Sequence, residues 1–359
     1  MKDPQRTTTS LRTLTSGAYF FLGVAFVISL AACSSVENAL SGRAERPGEG
    51  TTVYMGQATW ETGWFQAQIY KALLEELGYE VNGPHTLFNI AFYIYAGQGD
   101  IDLWVNGWFP LHDAYFDYEQ VQEQVIPVGF EIDDGALQGY LIDKATADRL
   151  GITNLGDLED PEIAAIFDVD GDGKADLTGC NEEWRCDEVI DHHLQAFGLN
   201  ETVTQIKGSY SELMLETVAR FENNEPILFY TWTPNWTVSE LVIGEDVMWL
   251  SVPFSTSPDS DDVNTVMDSI TGCLESPCDM GFRVADIRAV ANVEFLTQNP
   301  SAAALLEAVK IPLLDISLQN ALMSDGENSE EDLRRHAVEW IANNRELVDQ
   351  WLAVARDAQ

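Results

Sequence analysis

Apolar and polar residues alternate along the chain in blocks that predict strands and helices in turn. The run TTVYMGQ predicts a strand. Apolar residues then recur every four positions, which predicts a helix with one buried stripe: Phe65, Ile69, Leu73 and Leu77. The segments YEVNGPH and NIAFYIYAGQGDIDLWVNGWFP predict a second strand, a short helical turn and a third strand. This strand–helix–strand order is typical of a parallel sheet.

The same order continues from residue 139 onward. GYLIDKATADRLGI predicts a strand that runs into a helix capped by Asp143, and Asp160-Pro161 is typical of the start of another short helix. ILFYTWTPNW and VMWLSVPF predict two further strands, and the C-terminal residues follow a helical pattern.

These patterns predict an α/β fold with two domains and a ligand cleft between them. No low-complexity linker separates the halves, so we predict that the chain crosses between the domains more than once. Residues 51–138 and 253–359 are assigned to domain A, and residues 139–252 to domain B. Closure of two such domains around a small ligand is a common form of hinge motion.

The first 33 residues have the features of a signal sequence for export. Basic residues precede an uncharged apolar run, residues 18–32, that is too short to span a bilayer comfortably. Because the run ends in Leu-Ala-Ala before Cys33, we predict a lipoprotein signal peptide, residues 1–33, that ends at a lipidated Cys33. An ordinary signal peptide with an incidental cysteine is the alternative. Residues 34–50 are polar and contain glycine, which predicts a flexible tether. The export signal places the mature chain on the periplasmic side or the cell surface.

The cysteines agree with an oxidising compartment. Of the five cysteines, lipidation of Cys33 leaves two close pairs, Cys180 with Cys186 and Cys273 with Cys278. Four cysteines allow three disulfide pairings, of which the local one is the simplest. A zinc site that adds His192 and His193 is a less favoured alternative, because the C-x-x-C spacing of zinc sites is missing.

The charge of the chain narrows the choice of ligand. With 19 Lys+Arg against 59 Asp+Glu, the net charge is −40. Such a surface repels nucleic acid and anionic membrane faces, so we expect no nucleic-acid partner and membrane contact through the lipid alone. An anionic ligand would be repelled as well, whereas a zwitterion or a cation would not.

Three of the ten tryptophans stand beside Gly, Pro, Asn or charged residues at predicted strand ends or between close cysteines: Trp108, Trp184 and Trp232. A quaternary ammonium has no N–H group and is held by aromatic faces, at about 0.5–2 kcal/mol for each good contact. A carboxylate at the other end of such a ligand needs donors, and His112 and the backbone amides between Cys180 and Cys186 are candidates. Each residue alone is most simply a packing residue, and only the set argues for a site. The pattern assigns neither Trp60 nor Trp64.

Three segments resemble the periplasmic glycine betaine/proline betaine-binding proteins of ABC transporters: GYLIDKATADRLGITNLGDLEDPEIAAIFDVDGDGKADLTGC, ILFYTWTPNW and WVNGWFPLHD. The similarity runs from about residue 51 to the C-terminus. It implies a periplasmic-binding-protein clamshell of two α/β domains and a Cys180–Cys186 disulfide. It also implies a site in which three tryptophans box the trimethylammonium group while a histidine and two backbone amides hold the carboxylate: Trp108, Trp184, Trp232, His112, Arg185 and Cys186.

The resemblance implies partners as well: a quaternary-ammonium osmolyte, an ABC permease and its ATPase. We expect a monomer without enzymatic activity. The tryptophan loop departs from the glycine-rich pattern of the family, since it contains Glu182-Glu183-Trp184-Arg185. The Arg185 side chain either adds a donor for the carboxylate or points to solvent and pairs with Glu183, and we favour the second orientation.

An acidic loop has the D-x-D-x-D-G-x-x-D spacing of a calcium site: Asp168, Asp170, Asp172 and Asp176. The twelfth position, a bidentate glutamate in calcium loops, is Gly179. A weak structural Ca²⁺ site and a plain acidic turn are both compatible with this pattern, and we expect that no cofactor is required.

Two other functions are compatible with a secreted protein that has a tryptophan-lined cleft. One is a carbohydrate-binding protein or glycosidase, because aromatic residues also suit sugars and carboxylates are abundant. The other is a lipoprotein that senses osmolytes without transporting them. No metalloprotease, serine-hydrolase or phosphate-binding motif is found in the sequence.

Overall fold

A computed structural model describes residues 45–260 and 262–358, so the predicted signal peptide, Cys33 and most of the predicted tether lie outside the described residues. The strands in chain order are β1 (Thr52–Gln57), β2 (Glu80–Thr86), β3 (Leu103–Phe109), β4 (Val125–Asp143), β5 (Ala175–Thr178), β6 (Val203–Ile206), β7 (Leu228–Thr233), β8 (Val247–Leu250), β9 (Val266–Met267), β10 (Cys278–Asp279) and β11 (Ala285–Asn292).

The helices in chain order are α1 (Trp64–Glu76), α2 (Asn89–Gln98), α3 (Lys144–Leu150), α4 (Pro161–Ala164), α5 (Arg185–Ala196), α6 (Tyr210–Glu222), α7 (Thr237–Glu240), α8 (Val293–Gln298), α9 (Pro300–Ala308), α10 (Leu313–Ser324), α11 (Glu330–Asn343) and α12 (Arg345–Asp357). Short 3₁₀ helices cover Glu61–Gly63, Leu111–Asp117 and Leu155–Glu159. Within the described ranges, no helix is long and apolar enough to cross a membrane.

Local sequence signals account for several of these boundaries. The Asp143 carboxylate accepts a hydrogen bond from the Thr146 amide at 2.7 Å, which satisfies one of the free amides at the start of α3. Asp160 caps α4 in the same way, with Pro161 in its first turn. The two helix starts predicted at these residues therefore form as the sequence indicates.

One long strand joins the two halves of the molecule. Strand order is β2-β1-β3-β11-β4-β7-β5-β6, and β8 also pairs with β4. Residues 125–136 of β4 pair with β11, whereas residues 137–143 pair with β7 and β8. We therefore distinguish a first lobe, residues 45–136 and 285–358, from a second lobe, residues 137–280.

The sheet is mixed, whereas the alternating order of elements predicts a parallel one. β1 pairs in parallel with β2 and β3, and β5 with β6 and β7. Both β4 and β11 run antiparallel to their neighbours. The reason is topological: these two strands carry the chain out of the first lobe and back into it, without the helical crossover that parallel pairing requires.

The return crossing lies later in the chain than residue 253, where domain A was predicted to resume. The Val252 amide donates to the Asp279 carbonyl at 2.8 Å, and the Trp249 amide donates to the Gly272 carbonyl at 2.8 Å. These bonds attach the segment that contains β9 and β10 to β8 of the second lobe. Local sequence patterns do not reveal this pairing, because it joins segments that are distant in the chain.

Both local disulfides are present, Cys180–Cys186 and Cys273–Cys278. They leave no free thiolate for the alternative zinc site. His193 is buried, and its Nδ1 and Nε2 atoms lie 2.7 Å from the Tyr140 hydroxyl and 3.2 Å from the Thr256 carbonyl oxygen. The residues considered for zinc are therefore engaged in covalent and hydrogen bonds of the second lobe.

Candidate functional site

A small cavity lies between the two lobes. The first lobe contributes Trp60, Asn89, Trp108, Leu111 and His112 to its lining, and the second lobe contributes Gln138, Trp184, Arg185, Cys186, Tyr230 and Trp232. All six binding residues expected from the sequence thus line one cavity.

The ends of secondary-structure elements carry the three predicted tryptophans to this cavity. Trp108 is the penultimate residue of β3, and Trp232 lies one residue before the end of β7. Trp184 is the residue that precedes the first turn of α5. Crevices at strand ends are common ligand sites in α/β sheets, since several chain segments converge there.

The indole rings of the cavity meet nearly at right angles. The Trp184 and Trp232 ring centroids are 5.6 Å apart with an interplanar angle of 79°. Trp60 and Trp184 are also 5.6 Å apart, at 83°. Because perpendicular rings present surfaces in different directions, the set can enclose a rounded group on several sides.

Hydrogen bonds fix three of these rings. The Asn106 Oδ1 atom accepts from both Trp60 Nε1, at 2.6 Å, and Trp108 Nε1, at 2.9 Å. Trp184 Nε1 of the second lobe donates to the Thr59 hydroxyl of the first lobe at 2.7 Å. The wall formed by Trp184 is therefore completed by a contact between the lobes, as expected for a site that forms on closure.

His112 is buried and neutral. Burial, followed by the nearby charge of Arg185, lowers the pKa of His112 to about 3. Its Nδ1 atom lies 3.1 Å from the Tyr93 hydroxyl and 3.4 Å from the Trp108 backbone nitrogen, whose N–H donates to it. Because Nδ1 accepts this bond, the single proton of the neutral ring is assigned to Nε2, which lies 3.5 Å from the side-chain nitrogen of Asn89.

Backbone amides supply a second set of donors. Arg185 and Cys186 occupy the first turn of α5, where amide groups have no acceptor inside the helix. Such free amides can donate to an anion, and the positive end of the helix dipole also favours anion binding. Arg185 has helical backbone geometry, so a side chain is tolerated where the family pattern favours glycine.

These features place a cage of aromatic rings beside donors that suit a carboxylate. The sequence model of the family described as the substrate binding domain of the ABC-type glycine betaine transport system matches residues 51–343. The chain belongs to this family.

Individual members of the family show the extent of the relation. The chain is 40% identical over 316 residues to the glycine betaine/proline betaine-binding periplasmic protein of Escherichia coli K12, an alignment that covers 88% of this chain and 93% of that protein. It is also 40% identical over 330 residues to the glycine betaine-binding periplasmic protein OusX of Dickeya dadantii, with 92% and 97% covered. Its fold resembles the crystal structure of the glycine betaine/L-proline-binding protein ProX of Borrelia burgdorferi, with a TM-score of 0.63, 18% identity and 84% and 96% of the chains covered.

The orientation favoured for Arg185 from the sequence is wrong. Its side chain is only 11% exposed and forms ion pairs with Glu188 and Asp259 rather than with Glu183. The reason is that α5 continues for a full turn after Arg185, which brings Glu188 onto the same face three residues later. The side chain consequently becomes part of the cavity wall.

Sequence analysis did not identify five of the lining residues: Trp60, Asn89, Leu111, Gln138 and Tyr230. One of them had a detectable signal, because Tyr230 lies two residues before Trp232 in a strand and therefore on the same face. The Tyr230 hydroxyl donates to Gln138 Oε1 at 2.7 Å, and Gln138 is paired with Trp232 in the β4–β7 register. That register depends on long-range strand pairing, which no local pattern reveals.

The acidic loop brings together three of its four predicted carboxylates. Oxygen atoms of Asp168, Asp170 and Asp176 lie within 4.8 Å of one another, whereas Asp172 is not part of the group. The Asp176 carboxylate accepts from the Val169 amide at 2.6 Å, so the loop is also held by its own backbone. Hard oxygen ligands in such a group suit Ca²⁺, but the same geometry serves an Asp/Gly turn without an ion.

Proposed function

We propose that this chain is the extracytoplasmic substrate-binding protein of an ABC importer and captures glycine betaine or proline betaine. The observation that carries the proposal is the cavity between the lobes, whose lining combines indole rings with anion-binding donors. Aromatic surfaces stabilise the methylated cation, which cannot form hydrogen bonds. The Nε2–H group of His112 and the first amides of α5 stabilise the carboxylate.

Binding and closure are coupled in this proposal. The first lobe supplies Trp108 and His112, and the second supplies Trp184, Trp232 and the amides of α5. A ligand that contacts both sets binds the closed form better than the open form and shifts the population toward it. The closed protein then docks on the permease, whose ATPase drives import.

The alternative of a sugar ligand is less well supported by the cavity. A sugar requires many hydrogen-bonding groups, whereas four indole rings and the ring of Tyr230 form much of the lining. Gln138 accepts from the Tyr230 hydroxyl, and Arg185 pairs with carboxylates. The relatives are named as binding proteins, which favours binding over sugar hydrolysis. The alternative of a lipoprotein that senses osmolytes would require the same closed site.

Calorimetric titration of the chain from Ser34 onward tests the proposal. Glycine betaine is expected to bind one-to-one with a change in tryptophan emission, because the ligand contacts several indoles. Glucose and maltose serve as control ligands and should give no heat of binding. Saturable sugar binding without a response to glycine betaine would replace the proposal with the carbohydrate alternative.

We also propose that Cys33 anchors the protein to the membrane by lipidation. The support is the apolar run that ends in Leu-Ala-Ala-Cys. Cells that express the chain with Cys33→Ala are expected to lose incorporation of labelled fatty acid into the protein, while the chain with Ser34→Ala retains it. Equal labelling of both variants would show that another residue carries the lipid.

A further inference from the structure

A second cavity adjoins the first between the lobes. Leu111 and Gln138 line both cavities. On helix α5, Arg185 lines the first cavity, and Val189, one turn later on the same face, lines the second. The two spaces are therefore neighbours along the axis of α5, and the Arg185 side chain lies where they meet.

An ion pair holds the Arg185 side chain in this position. Asp259, one of its two partners, lines the second cavity. The other partner, Glu188, has a side chain that is 63% exposed and lines neither cavity. Only the bond to Asp259 therefore spans the region between the two spaces.

The second cavity has groups that suit the acidic end of a zwitterion. Its lining contains Arg283 and the hydroxyl-bearing residue Ser257, together with Asp259, whose carboxylate is paired with Arg185. The guanidinium of Arg283 is a cation whose planar N–H donors suit a carboxylate. A carboxylate too far from its ammonium group to reach the first turn of α5 would find a cation here.

We propose that the Arg185–Asp259 pair separates the two cavities and sets the maximum length of the zwitterion that the site accepts. The inference rests on the proposed function, since it concerns selectivity within the same betaine site. With the pair in place, a trimethylammonium group and a carboxylate fit only when one or two carbons separate them. Without the Arg185 side chain, a longer ω-trimethylammonio acid extends into the second cavity toward Arg283.

The test compares two ligands that differ only in chain length: glycine betaine and 4-(trimethylammonio)butanoate. Dissociation constants are measured by calorimetry or by competition for the wild type and for Arg185→Ala, which keeps the backbone amide. The wild type is expected to prefer glycine betaine. The substitution is expected to narrow the ratio of the two constants by about ten-fold or more, the scale at which a hydrophobic pocket discriminates chain length.

Two further variants distinguish loss of the barrier between the cavities from loss of an ion pair of Arg185. Glu188→Ala removes the other partner of Arg185 from the exposed side, and the ratio is expected to stay at the wild-type value. Asp259→Ala releases the Arg185 side chain at the boundary between the cavities. This variant is expected to change the ratio of the two dissociation constants in the same direction as Arg185→Ala. Thermal melting of each variant confirms that it is folded.

Each outcome has a distinct meaning. A wild type that binds both ligands equally, or an Arg185→Ala variant with an unchanged ratio, overturns the proposed length limit and leaves betaine binding intact. The same change of ratio in Glu188→Ala and Arg185→Ala would also overturn it, because the effect would then come from charge alone. A wild type that binds neither ligand overturns the proposed function and this inference together.

Discussion

Replacing Trp232 with alanine is expected to weaken the binding of glycine betaine by about 1–3 kcal/mol, or about 5–150-fold. Trp232 is 5% exposed, and its ring is perpendicular to that of Trp184 at 5.6 Å. The substitution removes one aromatic surface from the cation and lets water enter beside it. Both effects act on the bound state, so calorimetry should show a higher dissociation constant with unchanged stoichiometry.

The surroundings of Trp232 allow a loss of affinity in Trp232→Ala to be attributed to the ring. Among the described residues, its Nε1 atom has no hydrogen-bond partner, so the alanine variant leaves no buried acceptor without a donor. Its ring centroid also lies 4.4 Å from that of Tyr210 and 6.1 Å from that of Tyr230. A loss of affinity therefore reports the ring itself.

Trp340→Ala is the matched control for this experiment. Trp340 lies in α11 of the first lobe, is stacked on Trp351 at 6.1 Å and does not line the cavity. This variant is expected to lower the melting temperature while the affinity for glycine betaine stays at the wild-type value. An unchanged affinity in Trp232→Ala would remove Trp232 from the cage, and an equal loss in both variants would indicate a general effect of destabilisation.

The parts of the site that the sequence could predict are those with local signals. Trp108, Trp184 and Trp232 stand beside turn residues or between close cysteines, and the three together indicate a site that none of them indicates alone. Asp143 and Asp160 precede helices with recognisable caps, and the structure shows both caps. Helix caps and turns depend on a few neighbouring residues, so they can be predicted from the sequence without knowledge of the fold.

The rest of the site depends on contacts between distant segments. Trp60 precedes a 3₁₀ turn, and its sequence does not show that Asn106 binds its Nε1 atom. The pairing of Arg185 with Asp259 joins residues 74 positions apart. The late return crossing depends on the bonds that attach β10 to the second lobe. Each of these features arises from tertiary packing, which overrides local preference.

Replacing His112 with alanine is expected to weaken glycine betaine binding much more than choline binding. The neutral ring has its proton on Nε2, because Nδ1 accepts the Trp108 N–H group. A hydrogen bond to a charged acceptor contributes about 1.5–3 kcal/mol, which corresponds to a loss of about 10–150-fold. Choline has no carboxylate to accept this bond, so its affinity should change only through the cavity that alanine leaves.

The comparison of two ligands on one variant distinguishes a binding role from a structural one. His112 also lies 3.1 Å from the Tyr93 hydroxyl, so its removal disturbs local packing for either ligand. His112→Gln retains a side-chain donor and is expected to recover part of the betaine affinity. Equal losses for betaine and choline, measured by calorimetry and by competition, would assign His112 a structural role alone.

The pH dependence of binding provides an independent check on the state of His112. Burial lowers the pKa of His112 to about 3, so the ring is neutral throughout the range from pH 8 to pH 5. If neutral Nε2–H is the donor, the affinity for glycine betaine should be flat across this range. A rise in affinity as the pH falls from 7 to 5 would instead indicate that a charged imidazolium binds the carboxylate, since an ordinary histidine gains its proton there.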